Sequence, residues 1–247
     1  MQIIFQRSFL VNALLALCLM LMVTATMSSA ESMSEASAEE ASSTPGADSV
    51  DQSEDVADSP ETDQIGSPQQ TIEAFHLGLL DIMKNAKTLG FQGRIDRLSP
   101  LMAKIFDLNF MASKTVGRHW RQFSDADKER WAKTFADITV ANYAGRFTGF
   151  TGEEFITTGF EDARRGQRVV LTKIVIPNDD DVQLNYRLRK TDAGWQVIDV
   201  YLNGTVSELA LRRSEYSTAL KRQGFDELVV SIETKIASLK AKALIDG

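Results

Sequence analysis

One cysteine, two histidines and five prolines in 247 residues exclude several classes of protein at once. A disulfide framework needs two Cys, and Cys18 stands alone. A zinc site needs several closely spaced Cys or His ligands, which His76 and His119 do not supply. Serine-based nucleophilic catalysis needs a neighbouring base, usually His. His76 sits among apolar residues at helical spacing, and His119 stands in the basic stretch Gly117-Arg118-His119-Trp120-Arg121. Ordinary packed or surface histidines account for both. No G-x-S-x-G, phosphate-binding loop, G-x-G-x-x-G or H-E-x-x-H occurs. The adjacent carboxylates Glu153-Glu154 and Asp179-Asp180-Asp181 read as solvated turns rather than acid–base pairs or Ca²⁺ ligands. The expectation is a protein without catalytic residues, metal or cofactor.

Charge of one sign is missing from two segments. Residues 1–30 hold no acid and one base, Arg7, followed by an apolar run from Phe9 to Val23 and an exit through Ser28-Ser29-Ala30. Those are the three parts of a cleaved secretory signal peptide. The run of about fifteen residues is short of the ~20 that span a bilayer. Leu17 before Cys18 is the wrong residue for a lipoprotein site. An exported protein is expected. Residues 31–63 then hold eleven acids and neither Lys nor Arg, in a background of Ser, Ala and Thr. Such a stretch cannot bury enough apolar surface to offset its ordering entropy, and residues 31–66 read as a disordered leader. An acidic tether for a basic partner and a plain solubilising leader both fit it.

The whole chain carries −7, from 27 bases and 34 acids. Setting aside the eleven acids of the leader and the one base of the signal segment leaves 26 bases and 23 acids, or +3, from Gln64 onward. That is too weak for a nucleic-acid partner, which calls for clustered Lys and Arg, and it is compatible with contact at an anionic membrane surface.

The remainder, 67–247, reads as one α+β domain. Ser67-Pro68 starts a helix carrying Ile72, Phe75, Leu79, Leu80 and Met83. Ser99-Pro100 marks a second, with Leu101, Ile105 and Leu108. A short apolar helix runs from Phe110 to Val116. Ser124 and Asp127 form a capping box for a long helix to about Phe147, with Trp131, Phe135, Ile138, Tyr143 and Phe147 on its apolar face. Period two then takes over: Phe155–Phe160, Arg168–Ile176, Val182–Arg189 and Trp195–Leu202 are strands, joined by short turn-rich connections suited to antiparallel hairpins. Two helices close the chain, Val206–Arg222 and Asp226–Ala243, separated by Gly224. The predicted architecture is a four-stranded antiparallel sheet covered on one face by helices.

Aromatic residues crowd into fifty positions from Phe106 to Phe155, and the second strand is apolar at both parities. A sheet with one covered face needs only one apolar set. The surplus predicts an apolar ligand cavity between sheet and helices. Its expected wall is Phe106, Phe110, Trp120, Phe135, Tyr143, Phe147, Val170, Ile174, Leu184, Tyr186 and Trp195. Arg212-Arg213 allows two readings: intrahelical pairs with Glu208 and Glu215, or contact with a lipid phosphate. A purely structural adaptor and a small hydrolase or isomerase with Asp107 or Asp199 as base remain open alternatives.

Between Leu98 and Leu239 the chain resembles the MlaC/Ttg2D family of periplasmic lipid-binding, toluene-tolerance proteins. The resemblance rests on pieces in order: Leu98-Ser99-Pro100, Phe106-Asp107, Phe110-Met111-Ala112, Gly117-Arg118-His119-Trp120, Tyr143-Ala144-Gly145-Arg146-Phe147, Gly194-Trp195-Gln196-Val197-Ile198-Asp199-Val200, Gly204-Thr205-Val206-Ser207, Arg213-Ser214-Glu215-Tyr216 and Gly224-Phe225-Asp226-Glu227-Leu228. It implies an α+β protein with a pocket for acyl chains. The implied role is ferrying phospholipid between an inner-membrane MCE/ABC-type transporter and an outer-membrane lipoprotein complex. The segment Tyr201–Ala210 looks more like the hopanoid-associated, HpnM-like branch, which implies a hopanoid cargo and an RND-type transporter. The acidic leader departs from the family pattern.

Overall fold

The computed structural model describes residues 66–245. The segments expected to be a signal peptide (1–30) and a disordered leader (31–66, up to residue 65) lie outside the described residues. Helix α1 spans Pro68–Lys84. Its Ser67 side chain accepts from the Gln70 amide while the Gln70 side chain accepts from the Ser67 amide, so two orphan donors of the first turn are satisfied. Helix α2 spans Ala86–Ile105 with a break at Gly90, whose φ of 61° interrupts the helical path. Pro100 therefore lies inside α2 and does not begin a helix. It is exposed, and the helix runs on through it. Arg94, 5% exposed, donates from Nε to the Ala144 carbonyl (2.8 Å) and from a terminal nitrogen to the Ala86 carbonyl (2.9 Å).

Helix α3 covers Leu108–Thr115 and is capped by Asp107, which accepts from the Phe110 amide at 3.0 Å. A tight 3-10 turn, Gly117–Arg121, leads to α4, Asp125–Arg146, capped by Ser124 on the Asp127 amide. The sheet follows as β1 (Glu154–Ala163), β2 (Gln167–Val175), β3 (Val182–Thr191), β4 (Gly194–Leu202) and β5 (Val206–Ser207). Helices α5 (Glu208–Gln223) and α6 (Phe225–Ile245) close the described chain.

The expected fold class is found, with five strands instead of four. They pair antiparallel in sequence order as a meander. The fifth is the two-residue piece Val206–Ser207, paired to Leu202 and Tyr201, where helical spacing had placed the start of α5. Bulges interrupt the register at Thr157/Gly159 and at Arg187/Leu188. The Phe106–Asp107 corner lies along the free part of the β4 edge, with the Asp107 amide donating to the Val197 carbonyl at 2.9 Å.

On β2 the two apolar parities separate. Val170 and Ile174 are buried beneath the helices, whereas Val169, Leu171 and Val175 are half-buried on the opposite face. The second parity therefore does not feed an internal cavity. The core joins Ile72, Phe75 and Leu79 of α1 to Tyr186, Leu188 and Val197 of the sheet. Trp131 anchors α4: its indole donates to the Ala112 carbonyl at 2.9 Å and meets the Tyr216 ring edge-on. Among the described residues no helix is long and apolar enough to cross a membrane.

Candidate functional site

A cleft opens between α4, the inner face of β3 and β4, and α5. Helix α4 contributes Phe135, Ile138, Thr139, Asn142, Tyr143 and Arg146, which recur at three- and four-residue steps and so share one helical face. The sheet contributes Leu184 and its cross-strand partner Leu202, with Val200 beside them. Phe106, Met111 and Phe147 close one side, and Glu208, Leu209, Arg212 and Tyr216 of α5 the other. The gap, opening included, is about 730 Å³, but a water-sized sphere can enter only about 60 Å³ of it.

The lining is segregated. Phe106, Phe135, Ile138, Phe147, Leu184 and Leu202 are all under 5% exposed. Thr139, Asn142, Arg146 and Glu208 are half-buried and polar, so the polar groups gather where the cleft reaches solvent. Arg212, 9% exposed, lies between two carboxylates, Glu208 Oε2 at 3.7 Å and Glu215 Oε2 at 3.2 Å. Both intrahelical pairs expected from the spacing are thus present, and Arg212 also faces the cleft. Arg213 is exposed and lies near Gly117. Burial pushes the Glu208 carboxyl up from its ordinary pKa, and the Arg212 and Arg146 charges offset part of that rise.

Of the eleven residues expected to form a wall, Phe106, Phe135, Tyr143, Phe147 and Leu184 meet at the cleft. Val170, Ile174 and Tyr186 are buried in the core behind it. Phe110 is half-buried beneath the Arg189 guanidinium, 4.2 Å from its ring centre. Trp120 packs against Phe123 and borders a separate, open groove with Asn109, Lys128 and Ala132. Trp195 lies at the far end of the sheet, where Arg168 sits over both its ring and that of Phe160. The aromatic count could not distinguish cleft wall from core or rim, because all are apolar at the same spacing. Ile138 was legible from the α4 stripe, and Arg212 from its place in α5. Thr139, Asn142 and Arg146 lie on the same α4 face, but polar residues leave no trace in an apolar period.

The carboxylates considered as bases are committed to structure. Asp107 caps α3 and pairs with Arg189. Asp199 is 5% exposed and accepts from the Val200 amide (2.9 Å), the Leu209 amide (3.1 Å) and the Ser207 hydroxyl (2.7 Å). Burial raises its pKa, and those three donors hold the rise back. Glu153 is not a solvated turn residue. It is 2% exposed and accepts from the Thr151 amide (2.6 Å) and hydroxyl (2.8 Å). His76 is a core histidine, as expected, hydrogen-bonded to Tyr186 and stacked on Phe155. Among the described residues no three His, Cys, Asp or Glu side chains come together as a metal would require.

A meander sheet with helices on one face and an apolar cleft edged by a buried ion-pair cluster defines the α+β class of this protein. Residues 74–234 match the family model described as MlaC protein, and the chain belongs to that family. In structure it is similar to a phospholipid-binding protein from Ralstonia solanacearum solved in complex with a phospholipid. The TM-score is 0.62 at 20% identity, covering 69% of this chain and 97% of that one. No curated protein matches the chain in sequence.

Proposed function

We propose that the protein is a soluble periplasmic lipid carrier whose cargo is a phospholipid or a hopanoid. In this reading it works without catalysis, metal or cofactor. It takes lipid from one membrane complex and delivers it to another: an inner-membrane transporter of MCE/ABC or RND type on one side and an outer-membrane lipoprotein complex on the other. The observation that carries the proposal is the segregated cleft, with six aromatic and aliphatic side chains buried inside and polar groups at the opening. Membership of the MlaC family and the phospholipid held by the Ralstonia protein support it.

The physical need is plain. Each methylene moved from water to an apolar site is worth ~0.8 kcal/mol, and two acyl chains carry tens of them. A wall of Phe106, Phe135, Ile138 and Leu184 meets that need, and a headgroup lodges at the polar end. The water-accessible space of about 60 Å³ is well below the ~300–1,000 Å³ of pockets for drug-sized ligands. Loading therefore parts α4 from the sheet and α5. The segment that resembles the hopanoid-associated branch forms the β4–β5 turn and the first turn of α5, and supplies Leu202, Glu208 and Leu209 to the lining. In this reading that segment takes part in the choice of cargo.

Transfer between vesicles tests the proposal. Donor vesicles carrying a self-quenched fluorescent phospholipid are mixed with unlabelled acceptors. The protein at catalytic amounts is expected to speed dequenching in proportion to its concentration. A rate equal to that of vesicles alone, with phospholipid and with a labelled hopanoid, would remove the carrier reading.

A further inference from the structure

The carboxylate of Glu208 lies on the cleft with one oxygen unanswered. Oε2 faces Arg212 at 3.7 Å, but Oε1 is buried with no hydrogen-bond partner among the described residues. A buried acceptor left unpaired is costly and rare, so each instance calls for an explanation. The three other such atoms belong to Gln69, His119 and Arg187, none of which lines the cleft.

The cations nearby do not present the opposite case. Arg212 is already shared between Glu208 and Glu215, the latter at 3.2 Å. Its charge is answered within α5, and a bare phosphate arriving there must compete with two resident carboxylates. Arg146, also on the lining, acts on Glu208 by charge, yet Glu208 Oε1 still accepts no hydrogen bond among the described residues. Thr139 and Asn142 stand on the facing helix as further polar neighbours.

Resting on the carrier reading, we infer that this end of the cleft is a headgroup subsite that selects lipids able to donate a hydrogen bond to Glu208, through an ammonium N–H or a hydroxyl. Lipids whose headgroup nitrogen is fully methylated are disfavoured, because a quaternary ammonium has the charge but no N–H. They would bury Glu208 Oε1 still unpaired. Selection of this kind follows the general rule that a site built to pair a polar group rejects an analogue lacking it more strongly than an apolar wall rejects a misfit.

The test holds the acyl chains constant. The purified protein is incubated with vesicles of equimolar dioleoyl phosphatidylethanolamine, phosphatidylglycerol and phosphatidylcholine, separated from them, and its bound lipid is quantified by mass spectrometry. The ethanolamine lipid is expected to be enriched over the choline lipid by roughly tenfold, the value of one hydrogen bond to a charged group. Enrichment of the glycerol lipid as well assigns the subsite to any N–H or O–H donor; enrichment of the ethanolamine lipid alone assigns it to the ammonium. In Glu208→Leu the enrichment, read as the ratio of ethanolamine to choline lipid among whatever remains bound, is expected to fall below roughly twofold. If that variant does not fold, the wild-type partition decides alone. Equal uptake of all three lipids by the wild type overturns the subsite and leaves the carrier standing. Uptake of none overturns both.

Discussion

The His76 imidazole and the Tyr186 hydroxyl share a buried hydrogen bond of 3.0 Å across 110 residues of sequence, joining helix α1 to the central strand of the sheet. Neither group is free to ionise near neutrality. Burial lowers the His76 pKa to about 3 and raises that of Tyr186 well above its ordinary value.

That depression gives a pH prediction with a definite sign. The unfolded chain takes up a proton on His76 near pH ~6.5, the folded chain only near 3. Between those values the unfolded state binds more protons, so stability is complete above about 6.5 and drains away as pH falls. By pH 4.5 the expected loss from this one group is about 2–3 kcal/mol. Urea midpoints at pH 7.5 and 4.5 measure it. His76→Gln, which keeps a hydrogen-bonding group and cannot titrate, is expected to lose distinctly less over that interval. Parallel losses in both proteins would show that other groups set the acid limit.

Asp199 ties the end of β4 to the start of α5, the helix that carries Glu208 and Arg212. Asp199→Ala leaves the Val200 amide, the Leu209 amide and the Ser207 hydroxyl without their acceptor. A loss of about 2–4 kcal/mol is expected from stranding these donors. Asp199→Asn, which retains one acceptor oxygen, is expected to lose less. Thermal melts of the two variants read the difference. Unchanged melting of the alanine variant contradicts the assignment of this carboxylate to the corner.

Bulk placed in the cleft separates wall from core. Ile138 projects from α4 into the gap and is 2% exposed. Ile138→Trp is expected to cost about 1–3 kcal/mol in overpacking and to cut bound lipid per protein to less than roughly half. Phe160→Ala, at an exposed end of the sheet outside the cleft, serves as the control and is expected to leave lipid content unchanged. Equal lipid in both variants would place the binding site elsewhere.

The helix starts that could be read in the sequence were those with local chemistry. Ser67 and Ser124 each cap a helix through a side-chain contact three residues ahead, and both helices begin where those residues stand. Ser99-Pro100 carries the same local signature and misleads. Proline suits a first turn, yet α2 was already formed upstream, and the exposed position of Pro100 lets the helix pass through it. The fifth strand was not legible because two residues show no period. Cleft and core aromatics look alike in sequence, since Phe135 and Tyr186 obey the same rule of burial. Only the sheet register, which sets Leu184 against Leu202, says which side chains face the gap. The polar end was half visible: Glu208 and Arg212 stood out as an ion pair, but nothing in the sequence showed that a cavity would run beside them.

In the proposed carrier the cleft holds one lipid. The decisive measurement is native mass spectrometry of the protein purified from its own source, followed by lipid extraction. A single phospholipid or hopanoid per chain is expected, retained in the gas phase and released on denaturation. A protein that arrives empty and stays empty after incubation with both lipid classes would contradict it, and the shared fold would then serve an adaptor instead of a carrier.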